Sequence, residues 1–190
     1  MFLKQLRYAI VSLILFTIIT GVLYPLAVTG IGQLLFPKMA NGSLLMKDGK
    51  TIGSELIGQP FSGPGYFWGR LSATGPFSYN AGLSSASNLG PNNPAFFDAV
   101  RKRLSDLTSA DPDNHRPVPV DLVTSSGSGL DPHISVASAL YQVSRVARVR
   151  GLSIEKVRQL VDQSTEERQL KVLGEPRVNV LRLNLALDRL

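Results

Sequence analysis

The sequence predicts an α+β fold, with a single N-terminal transmembrane helix followed by one small α+β domain. From Tyr8 to Phe36 run 29 consecutive residues without Asp, Glu, Lys, Arg or His. Beyond them, strand-like segments are separated by helical periodicities, and an early pair of short apolar runs is joined by an Asp-Gly turn. No second uncharged apolar run of spanning length follows. A fully soluble protein and a polytopic carrier or channel are therefore both excluded as expectations.

Crossing a ~30 Å hydrocarbon core takes about 20 residues, and in lipid a lone segment must satisfy its backbone as a helix. The expected span runs from about Tyr8 to Val28, with Pro25 kinking or fraying its outer end. Tyr8 and Tyr24 fall near the two interfaces. A cleaved signal peptide fits less well, because the apolar stretch exceeds an h-region and no A-x-A site follows. Lys4 and Arg7 flank one end and Lys38, Lys47 and Lys50 the other, a near tie. Arg7 abutting Tyr8 favours a cytoplasmic N-terminus. The expected division is a cytoplasmic tail over 1–7, a transmembrane helix over 8–30 and a domain over 31–190.

The formal charge of +6 falls to +4 once Lys4 and Arg7 are set aside. No basic stripe or nucleic-acid motif accompanies it, so a solvated surface is the expectation. The absence of cysteine excludes disulfides, iron–sulfur clusters and Cys-based zinc sites.

Leu44 to Met46, Asp48-Gly49 and Thr51-Ile52 read as a hairpin. From Gly58 to Asn93 the only charge is Arg70, yet the segment holds Phe61, Tyr66, Phe67, Trp68, Phe77 and Tyr79. Long uncharged loops this rich in aromatics pack against something, either their own domain or a partner. The partner reading makes Tyr66, Phe67, Trp68 and Arg70 docking candidates. Asn93 caps a helix that begins at Pro94, with Phe97, Val100, Leu104 and Leu107 as its core stripe. Arg101, Lys102 and Arg103 form its solvated face. DPDNHRP is a loop and VPVDLVT a strand. A helix from His133 to Arg150, capped by Asp131 and ended by Gly151, turns Val136, Leu140, Val143 and Val146 inward. Its polar stripe is Ser138, Gln142, Arg145 and Arg148. Ser153 caps the next helix, and VNVLRLNLAL alternates as a half-buried strand.

Motifs for chemistry are weak. Gly49-Lys50-Thr51 resembles the end of a P-loop, but position 44 is leucine where that motif needs glycine. Asp111 to His115 imitates a calcium loop, but Arg116 and Leu122 stand where glycine and glutamate belong. His115 and His133 have no zinc spacing. TSSGSGLDPHIS places Ser128, Asp131 and His133 close in sequence, which raises a membrane-anchored extracytoplasmic serine hydrolase as an alternative. Its Gly127-Ser128-Gly129 is not a G-x-S-x-G elbow. A strand-to-helix turn, or an anion site on its amides, reads the same string.

YFWGRLSA, ASNLGPNNP, VPVDLVTSSGSGLDPHIS, YQVSRVARVRG and LGEPRVNVLRLNLALD together resemble the C subunit of the Kdp potassium-transporting P-type ATPase, over nearly the whole chain. The resemblance implies a single-pass bacterial inner-membrane subunit without catalytic residues, its main domain periplasmic. Implied partners are the channel-like A subunit, the ATP-hydrolysing B subunit, the small F peptide and the lipid bilayer. A catalytic-chaperone role is also implied, raising the pump's affinity for ATP through nucleotide contacts at Ser126, Ser128 and Gln142.

Overall fold

In the computed structural model, which describes residues 2–190, the N-terminal apolar segment is one helical run from Phe2 to Leu35. It comprises α1 (Phe2–Ile18), a π-helical turn (Ile19–Leu23) and α2 (Tyr24–Leu35). At ~1.5 Å per residue the run is about 50 Å long, more than a ~30 Å hydrocarbon core requires. The helix thus continues through Pro25 instead of fraying there. Proline has no N–H to offer the carbonyl one turn back, and the π turn just before it shifts the ladder by one residue. The Tyr24 N–H accordingly donates to the Ile19 carbonyl.

A short α3 (Pro37–Ala40) precedes the hairpin of β1 (Leu44–Lys47) and β2 (Lys50–Ser54). Asp48 and Gly49 have φ of 51° and 74°, the two positive values that a tight hairpin turn demands. The chain divides into two units after Ile52.

The second unit, Gly53–Leu190, starts with a long irregular segment and continues into α4 (Pro94–Ala110). Asn93 caps α4 by accepting from the Ala95 N–H at 3.0 Å. Its stripe is graded: Phe97 is exposed, Val100 and Leu104 are half-buried, and Leu107 is fully buried. VPVDLVT forms the short helix α5 (Val120–Val123) and not the expected strand. Pro117 and Pro119 cannot donate to a ladder, which disfavours a strand here. β3 (His133–Ser135) then leads into α6 (Val136–Arg150). The helix begins later than expected because Ser135, not Asp131, is the cap, accepting from the Ser138 N–H at 3.1 Å.

α7 (Ile154–Gln163) is capped by Ser153 as expected, through the Lys156 N–H at 3.2 Å. β4 (Thr165–Glu166) and β5 (Arg177–Asn179) complete a three-stranded antiparallel sheet in the order β3-β5-β4. Ile134 lies opposite Val178, and Thr165 lies opposite Val178 on the other side. The final alternation is a strand only as far as Asn179; Val180–Leu187 is helix α8. The same letters satisfy both periods, since Val180, Leu183, Asn184 and Leu187 share one helical face and all are buried. The Asn179 carboxamide settles the choice by capping α8 through the Arg182 N–H at 3.1 Å. The core lies where Val143 and Val146 of α6, Val157 and Val161 of α7, Leu183 and Leu187 of α8, and Val178 meet.

Candidate functional site

The aromatic loop is held by side chains where a sheet would use a neighbouring strand. Asn184 of α8 accepts from the Phe67 N–H at 2.9 Å and donates to the Phe67 carbonyl at 2.9 Å. Gln142 of α6 does the same for Trp68, accepting at 2.8 Å and donating at 3.1 Å. Two buried carboxamides thereby satisfy both backbone groups of two consecutive core residues.

Arginines complete the frame. Arg145 of α6 is 1% exposed; its Nη1 donates to the carbonyls of Pro64 and Tyr66, and its Nη2 to Gln142 Oε1 at 2.6 Å. Its guanidinium lies 4.5 Å from the centre of the Trp68 ring, and that of Arg103 lies 5.0 Å from it. Arg103 also donates to the carbonyls of Leu122 and Gly69 at 3.0 and 2.8 Å. Arg150 stacks on Tyr66 at 4.5 Å, donates to the Gly65 carbonyl, and pairs with Asp188 at 2.8 Å. Burial pulls Arg145 down to about 10 and lowers Arg103 as well. Arg145, expected on a polar stripe, is instead buried, and Arg103, expected on the solvated face of α4, is half-buried. A helical stripe identifies residues that share a face, but not whether a loop covers that face.

Phe67 and Trp68, expected as docking residues, are 0% and 6% exposed in the domain's own core. Tyr66 and Arg70 are half-buried. Arg70 pairs with Asp131 at 3.3 Å and donates to the Ser125 carbonyl at 3.1 Å. Tyr79 donates to the Arg70 carbonyl at 2.5 Å, and burial pushes its hydroxyl up to about 12.

The serine string is knitted into the irregular segment. Ser126 is buried, and its N–H donates to the Leu71 carbonyl at 3.3 Å. Ser128 Oγ accepts from the Leu130 N–H at 3.1 Å, while its carbonyl accepts from Ser85 N–H at 2.9 Å. Gly129 has φ of 68°, and a Cβ there would stand 2.6 Å from the Ser85 carbonyl oxygen, so only glycine fits. The His133 ring lies 3.2 Å from Asp131 and 3.7 Å from Glu166. Among the described residues no hydrogen bond joins it to Ser128, so the hydrolase alternative gains no support. Nor do these residues contain a group of three or more His, Cys, Asp or Glu that could hold a metal ion. With both Gln142 carboxamide atoms committed to the fold, a nucleotide contact there would have to displace those bonds.

Burial pushes the Asp131 carboxyl up, but hydrogen bonds from His133 and the nearby positive charges outweigh it and hold the group below its ordinary value. A depressed carboxyl contributes stability above its unfolded value, near pH 4, that is lost as pH falls through the folded one. Asp131→Asn should therefore lower the melting temperature at neutral pH. The gap from the wild type should close under strong acid, as followed by circular dichroism. A gap independent of pH would refute the ionic role.

A helix long and apolar enough to cross a membrane is followed by an α+β domain whose interior polar groups are turned upon one another, which defines a side-chain-stapled domain. The family model KdpC, described as the K+-transporting ATPase, c chain, matches residues 6–189. The chain is 63% identical over 187 residues to the potassium-transporting ATPase KdpC subunit of Methylococcus capsulatus, covering 98% of each. It is 64% identical to the protein of the same name from Polaromonas naphthalenivorans, covering 97% of this chain and 94% of the other. For the Herpetosiphon aurantiacus counterpart the identity is 60%, with 97% and 95% covered. The chain belongs to the KdpC family.

The alternating pattern hides Asn184, because a strand assigns it to a polar outer face. An asparagine spaced helically with Val180, Leu183 and Leu187 was the available signal.

Proposed function

We propose that this chain is the non-catalytic accessory subunit of an ATP-driven potassium-uptake pump. Its helix anchors it in the bacterial inner membrane with the N-terminus cytoplasmic, and its domain stands outside and stabilises the assembled complex. The observation that carries the reading is the family match over residues 6–189. The partners are the channel-like A subunit, the ATP-hydrolysing B subunit and the F peptide. Gln142 is spent on Trp68, Ser138 and Arg145, which favours an indirect influence on ATP affinity, through subunit contacts. Co-expression with the other subunits, followed by purification through one of them, tests this. The chain should copurify, and its omission should weaken assembly or potassium-stimulated ATP hydrolysis. Ser128→Ala should leave both the complex and its KM for ATP essentially unchanged. Loss of hydrolysis by an intact Ser128→Ala complex would count against a non-catalytic subunit.

A further inference from the structure

The segment between β4 and β5 folds back on itself. Gln169 and Leu173 exchange backbone hydrogen bonds at 2.9 Å, and the Val172 N–H donates to the Gln169 carbonyl at 3.2 Å. Leu170 and Lys171, the two residues inside that turn, have φ of 52° and 64°. Such turns favour Asn-Gly or Asp-Gly, the solution this chain uses at Asp48-Gly49. Here it holds a leucine and a lysine in left-handed backbone instead, with Arg168 and Glu175 paired at 2.5 Å at the base. The result is an apolar tip. Leu170 is 85% exposed, more than Leu34 of the spanning helix at 80%, and Val172 and Leu173 are exposed beside it. Lys171 makes no side-chain hydrogen bond or ion pair among the described residues.

We propose that this tip is a bilayer-contacting element: Leu170, Val172 and Leu173 enter the interfacial layer, and the Lys171 ammonium meets anionic lipid headgroups. The proposal rests on reading Phe2–Leu35 as a membrane anchor. A bilayer is then the one apolar phase that the chain's own sequence provides, and only residues 36–52 lie between that helix and the domain. Apolar residues around a cation are the composition that settles at an anionic membrane surface.

The chain has no cysteine, so Leu170→Cys and Val172→Cys can each carry a single environment-sensitive fluorophore. Thr108→Cys, at an exposed position of α4, is the control. Each full-length variant is reconstituted into vesicles of phosphatidylcholine with phosphatidylglycerol, and integration is checked by flotation and resistance to alkaline extraction. The expected result is a blue-shifted emission at 170 and 172, quenched several-fold more by lipid-borne nitroxide than at 108. Lys171→Glu should reduce that quenching most when the anionic lipid is present. Integrated protein whose tip labels are quenched by aqueous iodide and spared by lipid nitroxide overturns the proposal. Protection that appears only when the partner subunits are added overturns it too, and assigns the tip to a protein contact. Failure of the chain to integrate would bring down the anchor reading together with the tip.

Discussion

Trp68→Ala destabilises the folded domain by about 3–5 kcal/mol, the range for deleting a large aromatic from a core. The ring is 6% exposed, its Nε1 donates to the Gly63 carbonyl at 2.9 Å, and two guanidiniums stack on it. Alanine leaves a cavity and removes the apolar surface over which one buried and one half-buried cation lie, so loss of stacking adds to loss of packing. Trp68→Phe keeps most of the volume and loses the indole donor, and should fall well short of the alanine effect. Urea unfolding of the full chain in detergent, followed by near-ultraviolet circular dichroism, measures both. A Trp68→Ala chain as stable as the wild type would mean that the ring serves an interface and not the core.

Arg145→Leu should lower stability by about 2–4 kcal/mol, and here two effects oppose each other. Burial has already pulled the guanidinium down to about 10, so removing the charge relieves a desolvation strain of a few kcal/mol. Against that, the carbonyls of Pro64 and Tyr66 lose their donor, at about 1–3 kcal/mol for each one left unsatisfied. Gln142 loses its Arg145 partner and Trp68 a stacked cation. The orphaned acceptors and lost stacking prevail. Arg145→Lys keeps a charge but not the fork that reaches two carbonyls and a carboxamide together, so it rescues little. Emission from Trp68, the only tryptophan in the chain, reports the transition directly. Near-complete rescue by lysine would show that charge, not the forked geometry, is what matters.

Local signals in the sequence were the reliable ones. The uncharged run announced the long helix, Asp48-Gly49 the hairpin, and Asn93 and Ser153 the caps of α4 and α7, because each depends on neighbours a few residues away. Two segments depart from their hydrophobic pattern for a common reason. Residues 118–124 and 180–187 alternate in a way that suits a strand, and the outcome was decided by Pro117, Pro119 and the Asn179 cap rather than by hydrophobic pattern. The candidate site was legible only in composition: an uncharged aromatic stretch had to pack somewhere. That it packs under its own domain's arginines depends on Gln142 and Asn184, whose partners lie 74 and 117 residues away in sequence. No local periodicity encodes such pairings.

That separation also sets an order in time. A ribosome adding about 5–20 residues per second releases Phe67 on the order of ten seconds before the asparagine that will hold its backbone, 117 residues later. Until Gln142 follows, 74 residues after Trp68, an aromatic, nearly uncharged stretch has neither of the carboxamides that complete it, and until Asn184 it still lacks one; contacts so distant along the chain are slow to close. The nascent domain is thus most exposed to mispairing midway through its synthesis, and the emergence of α8 ends that period.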